Sequence, residues 1–509
     1  MSSIFLSFGP HSGFLTGHCL NGLVECLDMP PTWFSESRNG LLPNAVFFDN
    51  AKSVHLYEDY ELPDDNKEKN LKIEKIDTDS NSVIKIPRFK PTPFIEYVKK
   101  GGQTLIPLDK PRPNFHLDDC DIAWCDIVNF NLSRKSFIEI PGTDIEPLKT
   151  YMSGIEKASD TELYDELTDP IRRSLETCDK VSNYIISVDR NEGYGGIFSK
   201  VSEYLIDETP KATKFSFSMA EEISDEITAC NASLSLSTSL NYSNYHCVLQ
   251  LPENLPPLID PNRINVKNLY HQTALFSIPF TSSILPILTN AASGRSIVDI
   301  ISPTSALKFV SLSCGVPYYE TPITYSFKAE ERIYTRYTIT NGVPTEVSNK
   351  YIDETFKPGS PFFYGGVGQK QPEFVGLTMP HFFSDNVVTN TGDKPTVKPT
   401  GLSDDDYQRL VQYKVIKVKE PVDCARIRTL STVATLSTSK SLADPLKNCV
   451  DYLRRSPAIT HEIGYDDAQA ATEVILNIID GLNESWKSIM ELFILTFLSL
   501  FVILVYNHL

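Results

Sequence analysis

The sequence lacks the short motifs that mark several common classes of enzyme and metal protein. Its ten cysteines form no CxxC pair, and its nine histidines show neither HxxxH nor HExxH spacing. Structural zinc sites and zinc-peptidase chemistry therefore have no support. No G-x-S-x-G sequence is present, and the glycine-rich run Tyr364–Lys370 lacks the spacing and the hydroxyl residue of a Walker loop. A serine hydrolase and a P-loop nucleotidase are therefore not indicated.

Positive charge is scarce too. The 509 residues include 47 Lys and Arg against 65 Asp and Glu, a formal net charge of -18, with no dense basic cluster. Because such a surface repels phosphate backbones, we expect no nucleic-acid partner. The start, MSSIFLSF, has no basic residue and is interrupted at once by Gly9-Pro10, so no secretory signal is expected. We interpret the scattered cysteines as reduced thiols of a cytosolic protein.

What the sequence does contain is a strand–glycine loop–helix unit that occurs twice. The apolar strand Ile4–Phe8 leads into GPHSG and an amphipathic helix, and YIISVD, ending at Asp189, leads into RNEGYGG and a second helix. Unpaired backbone N–H groups and the helix dipole make the start of such a helix a site for phosphate. Two such loops on one sheet would bracket a nucleotide. The alternative is that the glycines only let the chain turn.

Strands and helices alternate along the first 300 residues. Predicted strands are Pro43–Asn50, Tyr184–Val188 and a half-exposed Thr213–Met219, and predicted helices are Thr161–Cys178 and a segment from Leu269 to about Pro279. The segment Asn231–Leu240 fits either a strand or a helix. The alternation predicts an α/β domain over 1–300 with a mostly parallel sheet, in which ligands bind beyond the carboxyl ends of the strands.

The remaining segments differ in texture from this domain. The range 58–113 is rich in Asp, Lys, Asn and Pro and is predicted to be a mobile insertion rather than core. Shorter strand patterns after residue 300 predict a second, α+β domain over 301–460. An amphipathic helix is predicted over 466–486; it either packs on the globular body, which we favour, or forms a stalk.

The segment Ile489–Tyr506 has the composition of a membrane span. It carries no charge after Glu491, and three residues follow it. Its 18 residues would span about 27 Å as a helix, the short end of what crosses a bilayer. We interpret 489–506 as a transmembrane tail anchor, with a buried C-terminal helix as the alternative. The residues that flank this segment do not indicate whether the membrane is the mitochondrial outer membrane or that of the endoplasmic reticulum.

Five ordered segments of the chain resemble the Misato family, a tubulin- and FtsZ-like group linked to mitochondrial distribution and morphology and to cell division. They are FGPHSGFLTGHCLNGL, NAVFFDN, WCDIVNFNLSRKSFIEI, LETCDKVSNYIISVDRNEGYGGIFSKVSEYLIDETP and NLYHQTALFSIPFTSSILPI. The resemblance implies a tubulin/FtsZ-like, Rossmann-type parallel-sheet domain followed by a smaller α+β domain. Together with the apolar tail, the predicted architecture ends in a C-terminal transmembrane helix.

The resemblance also implies a place for a guanine nucleotide. The residues that would hold GTP or GDP are His11, Ser12, Gly13, Gly17, Gly193, Gly195 and Gly196. The second loop departs from the GGGTGSG form of tubulins, because Glu192 adds a carboxylate and Tyr194 adds bulk. The tubulin fold also has a core helix followed by an acidic N-x-D loop, which supplies the acid for hydrolysis in tubulin polymers. This sequence lacks such a loop. We therefore expect no enzymatic activity, no metal and no catalytic residue, while nucleotide binding stays open.

The leading interpretation is a non-catalytic, tubulin-like protein on the cytosolic face of the mitochondrial outer membrane, acting in mitochondrial distribution, morphology or fusion and inheritance. Its expected partners are the membrane, through the C-terminal helix, and mitochondrial or cytoskeletal proteins of unknown identity. One alternative is a membrane-tethered GTPase of the same fold. Another is a tail-anchored scaffold of the endoplasmic reticulum.

Overall fold

A computed structural model of the chain describes most of the first 315 residues and several later segments. The described residues are 2–24, 34–37, 40–50, 91–103, 106, 110–130, 136–142, 147–178, 180–220, 223–251, 255, 259–315, 323–324, 333–342, 363–369, 372–383, 427–455 and 467–483.

The strands and helices within these residues are numbered in chain order. The strands are β1 Ser2–Phe8, β2 Phe34–Ser37, β3 Gly40–Pro43, β4 Ala45–Asp49, β5 Phe137–Glu139, β6 Val181–Val188, β7 Thr213–Met219, β8 Tyr245–Leu249, β9 Phe309–Gly315, β10 Ile323–Thr324, β11 Ile333–Asn341, β12 Phe363–Gln369, β13 Glu373–Phe374, β14 Thr429–Leu430 and β15 Thr432–Ser439. The helices are α1 Pro10–Val24, α2 Pro93–Lys99, α3 Tyr151–Ala158, α4 Thr161–Thr177, α5 Tyr194–Glu208, α6 Glu226–Tyr242, α7 Leu269–Leu288, α8 Gly294–Ile301, α9 Ala443–Arg455 and α10 467–483.

The first half of the chain forms a doubly wound parallel sheet. Its strands lie in the order β5-β4-β1-β6-β7-β8, and every pairing among them is parallel. Counting only these six strands, the spatial order is 3-2-1-4-5-6, that of the Rossmann fold. The order reverses between β1 and β6, so a crevice is expected at the carboxyl ends of these two strands. The predicted α/β sheet is confirmed.

The strands after residue 300 continue the same sheet. β9 pairs with β8 in parallel through His246–Phe309 and Cys247–Val310, and β15, β11 and β12 follow outward. β15 is antiparallel to both β9 and β11, so this end of the sheet is mixed. The division into two domains stays a prediction, and the hydrogen-bonded sheet runs across its boundary.

Helices cover both faces of the sheet, and this corrects the predicted half-exposure of Thr213–Met219. All seven residues of β7 are buried. Phe and Ser alternate there because they lie on opposite faces of the strand, and both faces are buried. On the serine face, Ser216 and Ser218 hydrogen-bond His246 of β8. The ambiguous segment Asn231–Leu240 lies in helix α6.

The core helix α7 corrects a second prediction. It does not end near Pro279 but runs through Pro279 and Pro286 to Leu288. A proline inside a helix costs about 3 kcal/mol. Almost every residue of α7 from Tyr270 onward is buried, so packing against α1 and the sheet outweighs that cost.

The end of the predicted insertion 58–113 belongs to the core. Helix α2 buries Phe94 and Ile95 in the main hydrophobic cluster, and Arg112, near the end of the range, is also buried. The low apolar content of the whole range conceals this short apolar turn. Residues 51–90 of the range lie outside the described residues.

The predicted amphipathic helix 466–486 corresponds to α10, and its packing on the body is confirmed. Ile475, Ile478 and Leu482 are buried in a cluster with α6 and α9. The hydroxyl of Tyr334 on β11 donates to the carbonyl of Leu482 at 2.8 Å.

The predicted anchor 489–506 lies outside the described residues. Within the described ranges, none of the helices has both the length and the apolar character of a membrane span.

Candidate functional site

The two predicted glycine loops lie at the switch point of the sheet. Gly9 follows β1 and Asp189 follows β6, and the backbone N–H of Asp189 donates to the carbonyl of Phe8 at 2.9 Å. The helices α1 and α5 start from these loops. The predicted position of the loops, beyond the carboxyl ends of neighbouring parallel strands, is confirmed.

The N-terminus of α1 holds an anion supplied by the chain itself. The Asp189 carboxylate accepts hydrogen bonds from the backbone N–H of His11 (2.8 Å) and of Ser12 (2.7 Å). The Ser12 hydroxyl donates at 2.6 Å, and His11 Nδ1 lies 3.1 Å from the carboxylate. Asp189 is 3% exposed. The N–H groups and helix dipole that would attract a phosphate thus stabilise a buried carboxylate.

Gly9 is the residue that admits this carboxylate. Its φ is +101°, and a Cβ there would lie 2.5 Å from Asp189 Oδ2. Both the backbone conformation and the contact therefore require glycine.

A second buried carboxylate, Asp49 at the end of β4, lies in the same crevice. It accepts from Trp124 Nε1 (3.1 Å), from the hydroxyl of Tyr194 (2.8 Å) and from the backbone N–H of Asn50 (2.7 Å). Burial, followed by the charge of Asp49, raises the pKa of Tyr194 above its ordinary value, so the phenol remains a donor. Trp124 also stacks on Phe47 with 4.2 Å between ring centroids.

The glycines of the second loop face protein atoms. A Cβ on Gly193 would lie 2.6 Å from the carbonyl oxygen of Thr150, and one on Gly196 would lie 2.1 Å from that of Tyr151. A Cβ on Gly195 would lie 1.8 Å from Ser235 Oγ. These glycines therefore allow α3 and α6 to pack closely on the start of α5.

Polar side chains of α6 fix the backbone of this loop. Asn231 donates to the carbonyls of Lys149 (2.7 Å) and Asn191 (2.9 Å), and its own Oδ1 accepts from the backbone N–H of Tyr151. Ser235 donates to the carbonyl of Arg190 at 3.2 Å. The loop is held as a packed junction of three helices.

Of the predicted site residues, two contact the anion position. His11 and Ser12 bind the Asp189 carboxylate. Gly13 instead faces the Trp124 ring, and a Cβ on Gly13 would lie 2.6 Å from it. Gly17, which is inside α1, lies against Val128. Gly193, Gly195 and Gly196 belong to the helix junction. Their predicted role in holding a nucleotide stays a prediction.

Sequence reasoning missed the residues that fill the crevice, namely Asp49, Trp124, Asp189 and Asn231. The acids that end two parallel strands, one on each side of β1, were the available signal, since the carboxyl ends of parallel strands meet at one edge of the sheet. The predicted carboxylate at the phosphate position was Glu192, whose side chain is exposed. The carboxylate found there comes from Asp189.

The residues present do not fit a triphosphate held in the tubulin manner. At the α1 terminus a phosphate oxygen would compete with a carboxylate that already receives four contacts. At the α5 terminus the glycine faces are covered by α3 and α6. In the described ranges there is also no group of three or more His, Cys, Asp or Glu side chains arranged to hold a metal ion.

Comparison with known proteins gives one informative similarity. No family model matches the chain. The chain is similar to Protein misato of Drosophila melanogaster, with 28% identity over 107 residues. The match covers 20% of this chain and 19% of that protein, so the chain spans about a fifth of the length of the relative it matches. The predicted resemblance to Misato is confirmed over the 107 residues of this match.

Proposed function

We propose that this chain is a Misato-like, tubulin-related protein without enzymatic activity. On this proposal it acts on the cytosolic face of the mitochondrial outer membrane, in mitochondrial distribution, morphology or fusion and inheritance. The similarity to Protein misato and the Rossmann-type sheet support the family and fold. The mitochondrial role rests on the family resemblance.

The absence of catalysis rests on one observation, the Asp189 carboxylate at the N-terminus of α1. A nucleotide phosphate placed there would meet a buried negative charge, and like charges a few ångströms apart repel by several kcal/mol in a partly dry site. Displacing Asp189 would leave its carboxylate without its hydrogen bonds, which costs further free energy. Both effects oppose GTP binding. The sequence also lacks the N-x-D loop that would supply an acid for GTP hydrolysis.

Calorimetric titration of GTP into the purified protein tests this proposal. We expect no saturable heat, and we expect no guanine nucleotide by mass spectrometry after denaturation of the protein. Asp189→Ala, which removes the competing carboxylate, is the matched variant. Saturable GTP binding by the unchanged protein would overturn the proposal in favour of the membrane-tethered GTPase.

Membrane attachment is a separate part of the proposal and rests on the apolar segment 489–506. Deleting 489–509 should move the protein from the membrane fraction to the soluble fraction. A fluorescent fusion carrying 484–509 alone should label mitochondria. Labelling of the endoplasmic reticulum would favour the scaffold alternative, and unchanged attachment of the deletion variant would remove the anchor.

A further inference from the structure

The glycine-rich run that lacks the spacing of a Walker loop supplies most of β12, the outermost strand of the sheet beyond β11. On its inner side β12 pairs in parallel with β11. In the part of the chain that the structure describes, no strand pairs with its outer side. The seven residues FYGGVGQ therefore form an open edge.

The backbone groups that point away from the sheet belong to Tyr364, Gly366 and Gly368. The carbonyl of Gln369 points inward, since it accepts the N–H of Gly342 at 2.9 Å. Because the direction of these groups alternates along a strand, every second residue back from Gln369 bonds β11. The three residues between them direct both N–H and C=O outward. The same three are exposed, and Tyr364 is exposed by 74%.

β12 lacks the features that keep most edge strands from pairing. Charged side chains, proline and bulges are the usual protection of an edge. The strand contains no charged residue and no proline, and its register with β11 runs without a shift. Ile300 of α8 packs beneath Gly365, where a Cβ would lie 2.4 Å from it, so α8 covers a face of the strand.

The exposed residues of β12 are complementary to a second copy of themselves. When two such strands run antiparallel about Gly366, this residue lies opposite its counterpart, and Tyr364 lies opposite the partner's Gly368. All three outward residues then form hydrogen-bonded pairs, so every outward N–H meets a C=O. Each tyrosine ring also covers a glycine of the other strand and compensates for its missing side chain.

The charges near this edge allow a second copy to approach. The chain carries a net charge of -18, but β12 is uncharged, and Arg295 and Asp299 of α8 form an ion pair at 2.8 Å. Arg336, in register with Tyr364, lies one strand further inward. Charges more than about 8 Å apart are largely screened at physiological ionic strength. The strand itself attracts neither an acidic nor a basic peptide, and it fits a strand as uncharged as itself.

We propose that two copies of this chain associate through antiparallel pairing of β12, centred on Gly366. The contact is isologous, so it joins the two sheets into one and ends at two copies. A pair of strands of this length buries less than the roughly 1,600 Å² of a standard interface, and we expect a Kd in the micromolar range. The proposal is independent of the crevice at Asp189 and of membrane attachment.

Sedimentation velocity of the full chain in detergent, over about 1–100 μM, measures this association. We expect an equilibrium between monomer and dimer. Monomers at every concentration would overturn the proposal and leave the edge to a strand from a different protein. An open-ended series of oligomers would also overturn it, because an isologous contact is complete with two copies.

Three variants show whether the association uses this edge. Tyr364→Lys adds a charge of the kind that protects natural edges. Gly368→Pro removes an outward N–H, a change that an edge strand tolerates. Each should raise Kd about tenfold or more. Tyr452→Lys, at a tyrosine of α9 that is 41% exposed, is the matched control and should leave Kd unchanged. Equal association of all three variants would place the contact elsewhere and overturn the proposal.

A disulfide keeps the test decisive if the edge variants unfold. Tyr364→Cys and Gly368→Cys in one chain place two cysteines opposite each other in the proposed register, with Cα atoms about 5.5 Å apart, within reach of a disulfide. Inside one chain the two positions are about 13 Å apart, too far for a bond. We expect an oxidised dimer on a non-reducing gel for the double variant and not for either single variant. The same yield in all three, or no dimer in the double variant, would contradict the pairing.

Discussion

Two buried carboxylates, Asp49 and Asp189, lie at the carboxyl ends of β4 and β6, the two strands that flank β1 in the sheet. Each is compensated by donors from elsewhere in the chain: Asp189 by the start of α1, and Asp49 by Trp124 and Tyr194. A buried charge is tolerated only with such donors. At the scale of single residues, the crevice that a Rossmann-type sheet offers to ligands is therefore filled by the protein's own side chains.

The capping role of Asp189 gives a stability prediction. Asp189→Ala should lower the free energy of unfolding by about 3 kcal/mol, because hydrogen bonds to a buried charge are lost and N–H groups of α1 are left unmatched. The matched control is Asp225→Ala, which removes an exposed Asp cap of α6 that accepts from Thr228. That change should cost clearly less, because water can replace the hydrogen bonds of an exposed cap. Urea denaturation measures both, and equal losses would contradict a buried, charge-stabilised cap at Asp189.

A pH prediction follows from His246, which is buried between Ser216 and Ser218. Burial, and secondarily the charge of Arg190, lowers the pKa of His246 to about 3. The unfolded chain, with a pKa near 6.5, therefore binds more protons than the folded chain between about pH 6.5 and pH 3. Stability conferred by the neutral ring is present above pH 6.5 and is lost as the pH falls, by up to about 1.4 kcal/mol per pH unit.

Replacing His246 isolates this contribution. His246→Gln should flatten the dependence of the free energy of unfolding on pH between 6.5 and 4, as measured by urea titrations at several pH values. His18, whose pKa burial also lowers to about 3, remains in the variant and preserves part of the slope. An identical slope in the variant would show that His246 does not contribute.

At the scale of elements, local pattern was sufficient where a strand or helix is bounded by clear signals. The strands β1, β4 and β6 and the helices α1, α4 and α5 follow from apolar runs, glycine loops and helical spacing. Pattern failed where tertiary packing decides. The continuation of α7 through Pro279 depends on its burial, and the packing of α3 against α5 depends on the backbone approach of Gly154 to Gly193.

Some glycines only occupy a position inside a helix, whereas others allow two helices to approach closely, and substitution by alanine distinguishes the two kinds. A Cβ at Gly17, inside α1, would meet Val128 at an ordinary 3.4 Å, whereas a Cβ at Gly154 in α3 would lie 1.9 Å from the carbonyl oxygen of Gly193. Gly17→Ala should raise the free energy of unfolding by about 0.5–1 kcal/mol. Gly154→Ala should lower it by about 1–3 kcal/mol. Thermal unfolding of the pair decides, and destabilisation by Gly17→Ala would show that Gly17 too is required for close packing.

At the scale of the whole molecule, the sequence predicts the class of sheet but not the order of its strands. Alternating strands and helices indicate parallel pairing, but the addition of β9, β15, β11 and β12 to the same sheet depends on contacts far apart in the sequence. The packing of α10 was predictable in part, because its apolar stripe requires a partner. Its partner, a cluster shared by α6 and α9, could not be read from the stripe.

The last helix gives the whole-molecule prediction. Ending the chain after residue 455 removes α10 and with it Ile475, Ile478 and Leu482 from a buried cluster. Each large apolar side chain in such a cluster contributes about 1.5–3 kcal/mol, so this truncation should unfold the protein or lower its melting temperature markedly. Ending the chain after residue 488 retains α10 and should leave the melting temperature unchanged while membrane attachment is lost. Circular dichroism of the two truncations separates the roles, because a stalk-like α10 would leave both with the same melting temperature.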